Sequence, residues 1–251
     1  MTAVIAPGAL EGRRALVTGA GSGIGRGIAV RLSDLGAQVT GVGRRLETLE
    51  ETAVLAGPSF VPRAVDVRDP EAVRSLVADL DRLDLLVSNA GGQFLAPALD
   101  ISDRGFAAVV DLNLTAVARL LDLCLPLLDG GTAVVVSVSG AERGIPGMAH
   151  GAAARAAVAG LVRELARTTP GVRLYCLAPG TVLTRAMTHE LSDEAIAEIL
   201  AATPLRRDTK VEEVAEWVAA LACGIAAGSS GALIELDGGA GLHGVPGALL
   251  R

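Results

Sequence analysis

The chain has 251 residues, a formal net charge of −6, three cysteines, and 51% hydrophobic but only 2% aromatic residues. That length suits one α/β domain with a full hydrophobic core. An acidic balance without a basic stripe argues against a nucleic-acid partner, and no long apolar run free of charges and turn residues predicts a membrane span.

The first residues, MTAVIAPGALEGRR, show no basic segment followed by an apolar core, so no leader peptide is expected. Short apolar runs then alternate with helical stretches. ALVTG (15–19) is followed by GIGRGIAVRLSDLG, QVTGVG (38–43) by a polar helix, and FVPRAVDV (60–67) by DPEAVRSLVADLDRL. Further runs are DLLVSNA (84–90), TAVVVSVS (132–139), VRLYCLA (172–178) and ALIELDG (232–238). Strands apolar on both faces and separated by helices predict a parallel sheet covered on two sides. Right-handed crossovers make it a doubly wound, Rossmann-type sheet of about seven strands in a single domain, 1–251. Segment 181–210 is the one long excursion between late strands. It carries a helical pattern from Thr184 to Ala202 and is expected to form a substrate lid. Cys124, Cys176 and Cys223 lie in apolar segments and read as buried thiols in a reducing, cytoplasmic setting.

The first strand runs into Thr18-Gly19-Ala20-Gly21-Ser22-Gly23-Ile24-Gly25, which opens a helix. Glycines there let the backbone approach a pyrophosphate, and the helix N-terminus offers N–H donors and the positive end of its dipole. The second strand ends GVGRR. A carboxylate at its tip would accept from a ribose 2′-OH; here Gly43 stands there, followed by Arg44 and Arg45, whose forks suit a 2′-phosphate. NADP(H) is therefore favoured over NAD(H). Asp66, with Val67, closes the third strand where an adenine amino group could donate, and Asn89-Ala90-Gly91 closes the fourth.

These stretches, together with DLNLTA (111–116), VVVSVSG (134–140), LAPGTVLT (177–184) and LDGG (236–239), stand in the order of one family. Over residues 11–240 the chain resembles the short-chain dehydrogenases/reductases, in particular the ketoreductase-like members. The resemblance implies a bound nicotinamide cofactor, hydride exchange with a carbonyl or alcohol, and a homo-oligomer, dimer or tetramer, built on helices 103–125 and 150–168. It also implies that Pro179, Gly180, Val182 and Thr184 lie near the nicotinamide. The family's active site uses Ser, Tyr, Lys four residues later, and Asn. Asn113 matches the Asn, and Ser137 the Ser, with Ser139 as a shifted candidate. At the Tyr position stands Gly151 and at the Lys position Arg155, with His150 beside them.

A phenol next to a cation can act as an acid near neutral pH, which a guanidinium cannot. The sole tyrosine, Tyr175, lies mid-strand, and the sole lysine, Lys210, at the end of the lid, so neither is expected in the site. Gly151 is expected to leave a hole about the size of a phenol ring, open to water or substrate. Ser137, Asn113, Arg155 and His150 form the candidate catalytic set, and Arg155 could also hold the cofactor's ribose. His189 in the lid could face substrate, though a surface position is the plainer reading for both histidines. Three functions remain open. One is an atypical NADP(H)-dependent reductase of a small, apolar or polycyclic, secondary-metabolic molecule. Another is a non-redox enzyme (dehydratase, cyclase or isomerase). The third is a non-catalytic nucleotide-binding protein. No metal is expected.

Overall fold

The computed structural model describes residues 5–243. Its strands are β1 (Arg14–Thr18), β2 (Gln38–Gly43), β3 (Phe60–Ala64), β4 (Leu85–Ser88), β5 (Thr132–Val136), β6 (Arg173–Pro179) and β7 (Leu233–Leu236). They form one seven-stranded sheet in the order β3-β2-β1-β4-β5-β6-β7, and every neighbouring pair is parallel. The helices are α1 (Gly23–Asp34), α2 (Leu46–Ala56), α3 (Pro70–Ala78), α4 (Asp103–Val110), α5 (Ala116–Cys124), α6 (Ala149–Thr168), α7 (Arg185–Glu190), α8 (Asp193–Ala202), α9 (Val211–Ala222) and α10 (Ala240–His243). The strand order reverses between β1 and β4, and a crevice opens at such a point.

Alternation along the central strands builds two cores. Ala15 and Val17 of β1, Val134 and Val136 of β5, and Tyr175 and Leu177 of β6 pack on one face with Ile28 and Leu32 of α1 and Val214 and Val218 of α9. Leu16, Ala133, Val135, Leu174 and Cys176 pack on the other with Leu120 and Leu121 of α5 and Val158 and Val162 of α6. This is why β4 and β5 are buried at every position and read as unbroken apolar runs.

Several strands stop earlier than their apolar runs. β4 ends at Ser88 because the amides of Asn89 and Ala90 turn to the Thr18 hydroxyl, each at 3.0 Å. The run at 132–139 ends as a strand at Val136, yet the Ser137 and Ser139 amides still bond the carbonyls of Leu177 and Pro179. The helical pattern at 184–202 divides into α7 and α8, because the Ser192 hydroxyl accepts from the Ala195 amide and restarts the helix. Asp69 does the same for α3, accepting from the Glu71 and Ala72 amides before Pro70. Between α4 and α5 the helix widens into one π-turn, Asp111–Thr115, which contains Asn113. Among the described residues no helix is long and apolar enough to cross a membrane. Cys124 and Cys176 are buried as expected, but Cys223, past the end of α9, is exposed. Its apolar neighbours pack inward while the helix end turns it outward.

Candidate active site

Two clefts meet at the carboxyl ends of the strands. The first, of about 320 Å³, is lined by Gly19, Gly21, Ser22, Gly23 and Gly25, by Gly43, Arg44 and Arg45, by Asp66 and Val67, and by Asn89–Gly91. The glycines are a steric requirement. A Cβ on Gly25 would overlap the Gly19 carbonyl, and one on Gly21 would overlap the Thr48 hydroxyl. Gly19 has φ +70°, and a Cβ there would lie 2.7 Å from the Asn89 amide. Arg26 fixes the loop from behind, donating to the Gly21 carbonyl at 2.6 Å and to Glu51 at 2.7 Å. Thr18 ties the loop to the end of β4 through Asn89 and Ala90.

The electrostatics of this cleft are cationic. Arg44 and Arg45 follow β2 with no carboxylate at Gly43, and a Cβ on Gly43 would make only ordinary contacts with Leu49. Asp66 is gripped by Arg68, which also lines the cleft; Nη2 donates to Oδ2 at 2.6 Å and Nε to Oδ1 at 3.1 Å. That hydrogen bonding holds the Asp66 carboxyl below its usual range. Sequence reasoning passed over Arg68, although DVR at the end of an apolar run places it two residues from Asp66.

The second cleft, of about 390 Å³, shares Ile24 and Thr184 with the first. Its walls are largely aliphatic: Leu95, Ile145, Met148 and Val182, with Met187, Leu191 and Ile199 from the 181–210 segment. Pro179 and Gly180 lie at its floor beside Ser137 and Ser139. His189 falls outside the described side chains.

The two serines differ in how far their hydroxyls are engaged. Ser139 Oγ lies 2.6 Å from Asp237 Oδ2 and 2.9 Å from Glu235 Oε1, and its single proton serves one of those carboxylates. Burial raises the Asp237 pKa, but bonds from Ser139 and from the Gly241 and Gly239 amides outweigh it and leave Asp237 below its ordinary value. Ser137 Oγ makes a long contact, 3.4 Å, with the Arg155 carbonyl and also bonds the buried Cys176 thiol on the neighbouring strand. Both of those partners are weak, so the Ser137 hydroxyl is less firmly committed than that of Ser139.

Asn113, fully buried in the π-turn, donates from Nδ2 to the carbonyls of Gly92 and Val109, both at 2.8 Å, and accepts from the Gly92 amide. It fixes the path of the chain after Gly91. Arg155 is 8% exposed. It donates from Nη1 to the Val136 carbonyl and lies so close to Gly91 that any Cβ there would overlap its guanidinium. Burial pulls its pKa down to about 10, which still leaves it charged at neutral pH. Arg155 is among the residues lining the aliphatic cleft, and its guanidinium presses on Gly91, which lines the glycine-loop cleft.

Gly151 does not leave the open hole expected. Gln93, missed by the sequence reading, leans over it, with Oε1 3.2 Å from where a Cβ would stand. His150 is not a surface residue. It is fully buried, neither ring nitrogen has a hydrogen-bond partner, and its ring lies 4.4 Å from that of Phe94. It is not among the residues lining either cleft. Tyr175 donates to the Ala226 carbonyl from within the core, and Lys210 pairs with Asp208. Neither reaches the clefts, as expected.

The comparisons with known proteins agree with this architecture. The family described as "Enoyl-(Acyl carrier protein) reductase" matches residues 19–241. Nodulation protein G of Rhizobium sp. (strain N33) is 37% identical over 240 residues, covering 92% of this chain and 97% of its own. The 3-oxoacyl-[acyl-carrier-protein] reductase FabG of Escherichia coli (strain K12) is 33% identical, covering 91% and 97%. Among solved structures, a short-chain dehydrogenase/reductase described as a glucose/ribitol dehydrogenase from Brucella melitensis superposes with a TM-score of 0.89. It is 29% identical and covers 94% of this chain and 99% of its own.

One consequence concerns stability. Burial depresses the folded-state pKa of His150 below its ordinary 6.5, outweighing the opposing effect of the Phe94 backbone. The unfolded chain therefore binds a proton that the fold refuses, and stability is full above about pH 6.5 and falls as the pH drops below it. Denaturant unfolding between about pH 5.5 and 7.5 is expected to show that decline, and a His150→Leu variant to show a shallower one. An equally steep decline in the variant would remove His150 as its source.

Proposed function

The chain belongs to the short-chain dehydrogenase/reductase family of oxidoreductases, whose members bind nicotinamide cofactors, and from that premise we propose that it is an atypical NADP(H)-dependent reductase of carbonyl groups on small, largely apolar molecules. The observation that carries the proposal is the junction of the clefts. An intact glycine cradle opens directly onto an aliphatic chamber, with Ile24 and Thr184 common to both and the weakly held Ser137 hydroxyl in the chamber wall.

The residues fit the cofactor. The Gly19–Gly25 loop leaves room only for backbone, which suits a pyrophosphate seated at the start of α1. Arg44 and Arg45 would hold a 2′-phosphate, and Asp66 and Val67 the adenine. Asn89, Ala90, Gly91, Pro179, Gly180, Val182 and Thr184 would enclose the nicotinamide riboside. When bound, the cofactor supplies the reducing equivalent.

Ser137 would orient the substrate oxygen by donating to it. Asn113 acts on the backbone, since both of its amide atoms are committed to Gly92 and Val109. The phenol and ammonium of the family have no counterpart at Gly151 and Arg155, so the proton for the reduced oxygen is assigned to water. Losing a general acid commonly costs about 10²–10⁴-fold in rate without abolishing turnover. The 181–210 segment serves as the lid, since Met187, Leu191 and Ile199 already face the chamber. A homo-oligomer belongs to the same reading. It is supported by the exposure of Phe106 on α4 and of Leu99 just before it.

The want of a titrating acid among the described lining residues favours one other reading, a non-redox dehydratase, cyclase or isomerase on this scaffold. Stereospecifically deuterated NADPH separates the two. Label in the product of a carbonyl substrate is expected; product without label would assign the protein to the non-redox class. For cofactor choice, Gly43→Asp places a carboxylate where the site has space and no charge. NADPH affinity is expected to fall by about tenfold or more relative to NADH, as measured by fluorescence titration. An unchanged ratio would show that Arg44 and Arg45 do not read the 2′-phosphate.

A further inference from the structure

Arg155 is a buried cation without a counter-charge. Of the described residues, only the Val136 carbonyl accepts from its guanidinium, and no carboxylate comes close enough to shift its titration. A buried charge left this way is costly, and in proteins such charges are paired or serve a ligand. The structure offers the fork one way out. Arg155 lines the aliphatic cleft together with Ser137, whose hydroxyl contacts its backbone carbonyl, and Gln93. On the other side it is pressed against Gly91. The three groups are donors of different kinds, a fixed fork, a hydroxyl and an amide, and the one carboxylate in the lining, Asp237, is already held by Ser139 and by the Gly239 and Gly241 amides.

We propose that this end of the cleft is a binding site for an anionic oxygen, and that the natural substrate is a small apolar molecule carrying a carboxylate, enolate or phenolate that Arg155 neutralises, with Ser137 and Gln93 completing its hydrogen bonds. The inference rests on the reading of the aliphatic cleft as the substrate chamber, but not on any redox step. It departs from the expectation that Arg155 holds the cofactor's ribose. Ribose hydroxyls would accept from the fork but not neutralise it, whereas an anionic oxygen does both.

The test uses the full chain and two probes of one shape, benzoate and benzamide, titrated at neutral pH by ligand-observed NMR. Wild type is expected to bind benzoate about tenfold to a hundredfold more tightly than benzamide, the range for a charged hydrogen bond. Arg155→Met should abolish that preference while keeping a melting temperature at or above wild type, because an unpaired buried cation is replaced by an apolar chain of similar reach. Arg155→Lys should restore part of the preference.

Three results would overturn the proposal. The first is equal binding of the two probes, or binding of neither, in wild type. The second is a benzoate preference that survives in Arg155→Met with a lowered melting temperature, which would make the residue a structural bond to Val136. The third is a loss of NADPH affinity in Arg155→Met with benzoate binding intact, which would place the fork on the cofactor. Label transfer from deuterated NADPH is measured separately, so failure of the reductase reading and failure of this inference are told apart.

Discussion

The guanidinium of Arg155 sits where the ends of β4 and β5 meet the opening turns of α6, bonded to the Val136 carbonyl and packed against Gly91. Much of the active end is arranged around that contact. Gly91 must be a glycine because the fork occupies the volume of any side chain there. Gly92 is held in turn by Asn113, whose amide grips it from the π-turn between α4 and α5. The chain then runs on to Gln93 over Gly151, and to Phe94 against His150. Arg155 thus fixes what can stand at Gly91, and Asn113 fixes the path of the chain beyond it.

The glycine-loop end depends on a different constraint, the exclusion of side chains. Gly19, Gly21 and Gly25 are hemmed in by Asn89, Thr48 and backbone, while Arg26 and Thr18 hold the loop from two sides. This end is thus preformed and cationic, and it opens onto a chamber whose charged groups, Arg155 and Asp237, are both fixed in their ionic forms near neutral pH. The arrangement differs from one built around a tunable acid. It suits chemistry in which the protein positions and stabilises charge and the solvent moves the proton.

The sheet and its order of elements were legible because each apolar run is long enough to be buried on both faces, and the glycine loop because its spacing admits only backbone. The strand ends were less so. Whether Asn89 and Ala90 continue β4 depends on the Thr18 hydroxyl, which is distant in sequence. The choice between Ser137 and Ser139 could not be made from alternation, which puts both on one face. What distinguishes them is Glu235 and Asp237, which arrive about a hundred residues later and engage Ser139. His150 looked like a surface residue since it opens an Ala-rich helix, yet it is fully buried with the tilted ring of Phe94 against its own. Gln93 carried no signal because the loop's path over Gly151 is set by Asn113.

The account stands on a reduction carried out without a titrating side chain at the substrate oxygen. The most direct measurement is the pH dependence of kcat for NADPH-dependent turnover of any carbonyl substrate the protein accepts. A rate that is flat from about pH 6 to 9 is the predicted result, since Asp66 and Asp237 are held below their ordinary range and Arg155 titrates at about 10. A limb with a midpoint near neutrality would put a histidine or another tuned acid in the step and would contradict it.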